Sequence, residues 1–298
     1  MKAKKILYHY TTTDALLGIL NSGSLWASDI RFLNDATEFT FARDLLVHTL
    51  QTRASRLRNA RVREIIFERF ENLQAARTVH AYVVSFSEQG NMLSQWRAYA
   101  PRDGVCIGFF KGALRSIDNF DLHRCVYVGK DPLPALSERR RYETIVNELY
   151  TNVTWASRLI QQEARTKQKS WSKRVSQEGH AVLISSAVMA AALRIKHKGF
   201  KEEAEWRLID KPEALRFIHA LEDDPDDQLK FRRGSFGVTP YVVAKLPDVY
   251  HDFPFGISNV MVGPSTNSAS IVASIREMLK IKYHSKATVD STDIPFRG

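Results

Sequence analysis

The chain holds two cysteines, Cys106 and Cys125, among 298 residues. Two thiols cannot complete a structural zinc site, and no group of cysteines and histidines has ligand spacing, so no metal is expected. Both cysteines sit in apolar, strand-like runs, which points to buried free thiols and a reducing, cytoplasmic setting. No stretch approaches the roughly 18 consecutive apolar residues of a membrane span. Residues 1–5 are basic but run into the strand-like Ile6-Leu7-Tyr8 without an apolar core or cleavage site, so no signal peptide is expected. Internal repeats and low-complexity linkers are lacking too, and residues 1–298 read as a single domain. There is no Gly-rich phosphate loop: Gly104 and Gly108 have neither the further glycine nor the helix start it requires. No serine-centred elbow appears, and no histidine pair stands at i, i+4.

Positive charge is in good supply. The 43 lysines and arginines exceed the 33 acidic residues, for a net charge of +10, and such a surface favours anionic partners. The excess is uneven. Between Thr52 and Arg77 lie Arg53, Arg56, Arg58, Arg61, Arg63, Arg69 and Arg77, either a solvated helix face or a stripe for nucleic-acid phosphates. Lys201 to Lys230 leans acidic. The 44% hydrophobic content is that of a globular chain rather than a disordered one.

Periodicity places short strands at Ile6–Tyr10 and Leu25–Ser28, joined by a helix with Thr13-Asp14 at its start and Asn21-Ser22-Gly23 at its end. A helical region follows over about 39–77. Strand-like runs cover Val79–Ser87, Gly104–Phe109 and His123–Val128, and Leu93, Trp96 and Ala100 mark a helical face between the first two. A second helical region covers about 134–198. Further strands are expected at Glu205–Ile209, Val238–Leu246 and Ile257–Val262, then a helix at Ile271–Ile281 and an extended Val289–Phe296. This order predicts an α+β fold, a mixed and mainly antiparallel sheet with helical insertions.

Polar residues inside strands stand out, because apolar ones pack better there. In Leu7-Tyr8-His9-Tyr10-Thr11 the alternation sets His9 and Thr11 on one face, Tyr8 and Tyr10 on the other. His9 reads either as a hydrogen-bonded core residue or as a catalytic one. Ser85-Phe86-Ser87-Glu88 is a polar strand end followed by Trp96, an aromatic of the kind that usually packs in the core and here is also a site candidate. In Glu203-Ala204-Glu205-Trp206-Arg207, strand geometry puts both glutamates and Arg207 on one face, as a salt-bridge ladder or as an acid/base pair. His9, Tyr10, Trp96 and Glu205 are expected to line one pocket.

Leu7-Tyr8-His9-Tyr10-Thr11, Gly18-Ile19-Leu20, Gly23-Ser24-Leu25-Trp26 and Asn34-Asp35 with Glu38 together resemble the opening of the bacterial domain of unknown function 2971. The resemblance continues through Phe86-Ser87-Glu88, Trp96-Arg97-Ala98-Tyr99-Ala100 and Gly104–Phe109. It resumes at Phe200, Glu203, Glu205-Trp206-Arg207, Pro240-Tyr241, Val262-Gly263-Pro264 and Ile294-Pro295-Phe296-Arg297, where Phe296 replaces a commoner tyrosine. More distantly the chain resembles the ADP-ribosyltransferase fold, whose first strand bears a histidine or arginine and whose later strand carries a catalytic glutamate, often in a Glu-x-Glu pair. His9 matches the first element and Glu203-Ala204-Glu205 the second.

That second resemblance implies NAD as substrate and cleavage of its nicotinamide–ribose bond. Glu205 would stabilise the oxocarbenium-like state, His9 would orient the ribose, and Glu203 would orient or deprotonate an acceptor. Tyr10, Tyr99 or Trp96 would stack on nicotinamide, and Thr11 and Ser85 are further cofactor-binding candidates. Arg31, Arg97 or Arg232 would meet the pyrophosphate. The alternative is a non-catalytic nucleic-acid- or nucleotide-binding module using the arginines of 53–77, in which Glu205 stands in an exposed ion pair.

Overall fold

The computed structural model describes residues 5–32, 36–75, 81–129, 136–165, 170–211, 229–234, 237–248 and 251–295. Strand β1 (Ile6–Thr11) leads into helix α1 (Thr13–Ser22) and strand β2 (Ser24–Asp29). The helix cap is one residue earlier than the pattern suggested: the Thr12 hydroxyl accepts the Ala15 N–H. Gly23 ends the helix at φ 61° and donates to the Ile19 carbonyl, a left-handed cap that suits glycine. Helices α2 (Ala36–Ala54) and α3 (Ala60–Ala75) precede β3 (Tyr82–Ser87), and α4 (Leu93–Tyr99) separates it from β4 (Val105–Phe110). Then come α5 (Lys111–Arg115), β5 (Phe120–Arg124), β6 (Val126–Val128), α6 (Leu136–Arg165), α7 (Ser170–Ala192), β7 (Ile195–His197) and β8 (Glu205–Asp210). The chain continues through β9 (Lys230–Gly234), β10 (Gly237–Lys245), β11 (Ile257–Val262), α8 (Ser268–Tyr283) and β12 (Thr288–Ser291).

The fold is α+β, with a mixed and mainly antiparallel sheet. Its main path runs β12-β11-β4-β1-β3-β2-β10-β9; β8 pairs with β3, and β5 with β8. Among the described residues only β11 and β12 run parallel in it, and β6 and β7 form a small parallel pair. Two expectations shift. His123–Val128 is two strands rather than one, because at Cys125 the backbone leaves β8: Cys125 N–H bonds the Glu205 carbonyl and Val126 N–H the Arg194 carbonyl. The second helical region ends at Ala192, and Ile195–His197 is a strand. Val79, Arg77, Asn34, Asp35 and Phe296 lie outside the described residues.

The two helical regions, distant in sequence, share one core. Leu46, Leu50, Ile66, Phe70, Ile145, Leu149, Ile184 and Val188 pack together and reach Val83 and Ile209 of the sheet. A second core lies between the sheet and helices α1, α5 and α8, built from Leu7, Leu16, Leu25, Phe86, Ile107, Leu114, Leu208, Val260 and Ile275. No helix among the described residues is long and apolar enough to cross a membrane.

The sheet splits at β3, and the split positions the site. β8 occupies one edge of β3 from Val83 to Ser87. A strand has two edges, so β1 and β2 must share the other. They take opposite ends of it: Tyr8 pairs with Ser87, while Ser28 and Asp29 pair with Val83 and Tyr82. Between them, on this edge, Val84, Ser85 and Phe86 face no strand of the described residues, and the diverging β1 and β2 open a cleft there. Backbone polar groups on such an edge need other partners.

Candidate active site

The cleft is a cavity of about 500 Å³, lined from β1 by residues 8–11, from β3 by residues 83–87 and from β2 and α1 along its other wall. This is within the usual range for small-molecule sites. The His9 ring takes over part of the unpaired edge. Its Nδ1 stands 2.9 Å from the Ser85 carbonyl, and a carbonyl only accepts, so Nδ1 carries the proton. In the neutral ring Nε2 is then an acceptor. Burial lowers the His9 pKa below the ordinary value, against the opposing pull of the Ser85 carbonyl. At neutral pH the ring is uncharged.

Glu205 opens β8 and stands opposite Ser87, which stands opposite Tyr8. Two strand spacings, about 10 Å between backbones, therefore separate the His9 end of β1 from Glu205. The Glu205 carboxylate lies in a buried ion cluster. Arg207 Nε reaches Oε1 at 2.8 Å and Lys196 Nζ reaches Oε2 at 2.7 Å. Glu38 of α2 closes the ring, 3.2 Å from Lys196 and 3.1 Å from Arg207. All four residues are at most 7% exposed. Burial pushes the Glu205 carboxyl up, but Arg207 and Lys196 outweigh it and hold it at about 2. Burial raises Glu38 in spite of the same two cations, so Glu38 is the first of the pair to take a proton.

Glu203 is not on the strand as the Glu-x-Glu spacing suggested. It ends the 3-10 turn Lys198–Glu203, and Ala204 turns the chain at φ 45° before β8 begins. The two carboxylates nevertheless converge, because Lys196 bonds both. The Tyr99 hydroxyl lies 3.4 Å from Glu203. The turn is pinned by the Ser87 hydroxyl donating to the Glu203 carbonyl at 2.8 Å.

The cavity wall includes His9, Tyr10, Thr11, Ser85, Tyr99, Glu203, Glu205 and Arg232 of the residues singled out from the sequence. Trp96 is not in it. It is 2% exposed, edge-on to Tyr10 at 5.0 Å, and packs with Ala100 and Cys106. Its indole N–H bonds Asn91. Helix α4 instead presents Gln95 and Tyr99, one turn apart, to the cavity. Arg31 and Arg97 are also outside the wall. Arg31 is held by the fork of buried Asp29, at 3.0 and 2.7 Å. Tyr10 is fixed by Gln89 and Met92, its hydroxyl donating to the Gln89 carbonyl and accepting the Met92 N–H. That loop comes close because residue 90 is glycine: a Cβ there would stand 2.5 Å from the Tyr8 ring.

Sequence reasoning missed Lys196, Asp14, Gln95 and Trp26. Lys196 lies in a three-residue strand and carries no local signal. Gln95 and Tyr99 had one, as the polar face opposite Leu93 and Trp96. The arginines of 53–77 are partly engaged: Arg53 bonds Glu143 and Asn147, Arg61 pairs with Glu64, and Arg63 donates to the Leu57 carbonyl.

Cys106 and Cys125 are free and buried, and burial pushes both thiols far above the ordinary value. Thiol labelling of the native protein should therefore be slow at pH 8, and rapid labelling of either would contradict this placement.

No curated protein and no solved structure matches the chain. Residues 95–208 match the model of a family described as "Protein of unknown function (DUF2971)". The stretch takes in Gln95, Tyr99, Lys196, Glu203, Glu205 and Arg207, whereas the resembling segments at 7–38, at 86–88 and from 240 onward lie outside it. Over this stretch the chain is similar to that family.

Proposed function

We propose that the chain is an ADP-ribosyltransferase-like enzyme that takes NAD into the cleft and cleaves its nicotinamide–ribose bond. The observation that carries the reading is that His9 and Glu205, far apart in sequence, line one cavity, the first neutral and the second ionised. In the reaction the glycosidic C–N bond breaks and its electron pair leaves with nicotinamide, which loses its positive charge. The ribosyl carbon is left as an oxocarbenium ion. An O–H of the acceptor, or water, then attacks that carbon and gives up its proton.

Each wall residue has a role in this scheme. Glu205 supplies fixed negative charge where positive charge develops, and Arg207 and Lys196 keep it ionised and oriented without reorganisation. Nε2 of His9 accepts a hydrogen bond from a ribose hydroxyl. Glu203, at the more open side, takes the acceptor's proton. Thr11, Ser85, Gln95 and Tyr99 bound the nicotinamide end. The alternative of a nucleic-acid-binding module draws less support, since several arginines of its stripe are spent on protein groups and Glu205 is not in an exposed pair.

The test is the pH profile of nicotinamide release. The neutral form of His9 is the active one, and its pKa is lowered from 6.5. The rate should stay level down to about pH 6.5 and fall only below it. His9→Gln should be slower throughout and lose that acid limb. A limb unchanged in His9→Gln would assign the titration to another group and count against the reading.

A further inference from the structure

Trp26 is 46% exposed in a strand whose other five side chains are buried. A lone exposed indole needs no account, but this one lines the cavity together with Ser28 and Arg232. On β10, Val243 stands opposite Trp26 and Tyr241 opposite Ser28. Trp26, Ser28 and Tyr241 therefore share one face of the sheet. The Tyr241 ring stacks on the indole, centres 4.6 Å apart and planes inclined by 27°. From β9, Arg232 stands opposite Thr239, on the same face. It donates from Nη2 to the Ser28 hydroxyl at 2.9 Å, with its guanidinium carbon 6.0 Å from the Trp26 ring centre. Its Nε is buried and has no hydrogen-bond partner among the described residues. A buried guanidinium N–H without an acceptor is costly.

We infer that Trp26, backed by Tyr241, and Arg232 form a subsite for the base and phosphate of a nucleotide. The exposed indole, backed by the buried Tyr241 ring, is a flat apolar platform that suits a base and tolerates any base. Arg232, pinned by Ser28 and with donors to spare, matches a phosphate geometrically. The inference rests on the reading of the cleft as a dinucleotide site and fixes the direction of the ligand: the adenosine diphosphate half lies over Trp26 and Arg232, the nicotinamide ribose half between His9 and Glu205.

Calorimetric titration of the full chain with ADP-ribose and with nicotinamide mononucleotide tests this. ADP-ribose should bind, and Trp26→Ala and Arg232→Ala should each weaken it about tenfold or more. Trp26→Phe keeps an aromatic face and should stay within about threefold of wild type, which guards against a misfolded alanine variant. Nicotinamide mononucleotide affinity should change little in all three. Wild type that ignores ADP-ribose, or Trp26→Ala that binds it as wild type does, overturns the subsite while nicotinamide release from NAD can persist. Trp26-dependent ADP-ribose binding by a protein that leaves NAD whole upholds the subsite and removes the catalytic reading instead.

Discussion

Glu205→Gln is expected to lower nicotinamide release a few hundredfold and to destabilise the fold at the same time. The first effect follows from losing one fixed charge in a water-poor pocket, on the order of 3 to 4 kcal/mol in the barrier. The second was not expected from the sequence, where a surface pair at Glu205 would be worth at most about 1 kcal/mol. In the structure Glu205 is 5% exposed and pairs with both Lys196 and Arg207. Glutamine takes one carboxylate partner from each of two buried cations, leaving Arg207 with Glu38 and Lys196 with Glu38 and Glu203, which costs about 3 to 5 kcal/mol. The double variant Glu205→Gln/Lys196→Met removes one charge of each sign and should recover most of the stability without recovering activity. Recovery of both would make Glu205 a structural residue only. The acid side offers a second check. The folded pKa of Glu205 is depressed from 4.5 to about 2, so its stabilisation is present above about pH 4.5 and is lost as pH falls toward 2. The stability gap between wild type and Glu205→Gln should narrow over that window.

Arg207→Met should destabilise the protein by about 3 to 5 kcal/mol, a large share of a typical domain's stability and a melting-temperature fall of roughly 10 °C. Arg207 joins the sheet to the helices. From β8 it holds Glu205, reaches Glu38 on α2, and donates to the Leu193 carbonyl at the end of α7. Methionine fills the volume but leaves Glu38, Glu203 and Glu205 to share Lys196, and takes the Arg207 donor from the Leu193 carbonyl. Arg207→Lys should not restore the loss, since an ammonium cannot span three acceptors in one plane. A thermal shift of only a degree or two would mean that the cluster is not desolvated.

How much of this was legible in the sequence depends on the range of the interaction. The β1-α1-β2 opening was read almost to the residue, because alternation, a hydroxyl cap and Gly23 are local signals. The placement of Glu205 and Arg207 on one face followed from period two, and their pairing bears it out. The split of the sheet had no signal, since it depends on which end of β3 each of β1 and β2 meets. The ion cluster had none either: Glu38, Lys196 and Arg207 come from a helix, a three-residue strand and a central strand. Trp96 was legible as apolar helical spacing, and that spacing itself pointed inward. The polar Gln95 and Tyr99 on the opposite face reach the cavity instead. Glu203 was misplaced because a left-handed Ala204 is not marked by glycine or asparagine, the residues that usually announce it.

The most direct measurement is incubation of the wild-type protein with NAD labelled separately in its nicotinamide and adenine moieties. Free nicotinamide should be released in step with ADP-ribose, either free or attached to an acceptor, at a rate that depends on His9 and Glu205. NAD recovered whole after long incubation, both without acceptor and with cell extract supplying protein and nucleic acid, would contradict it.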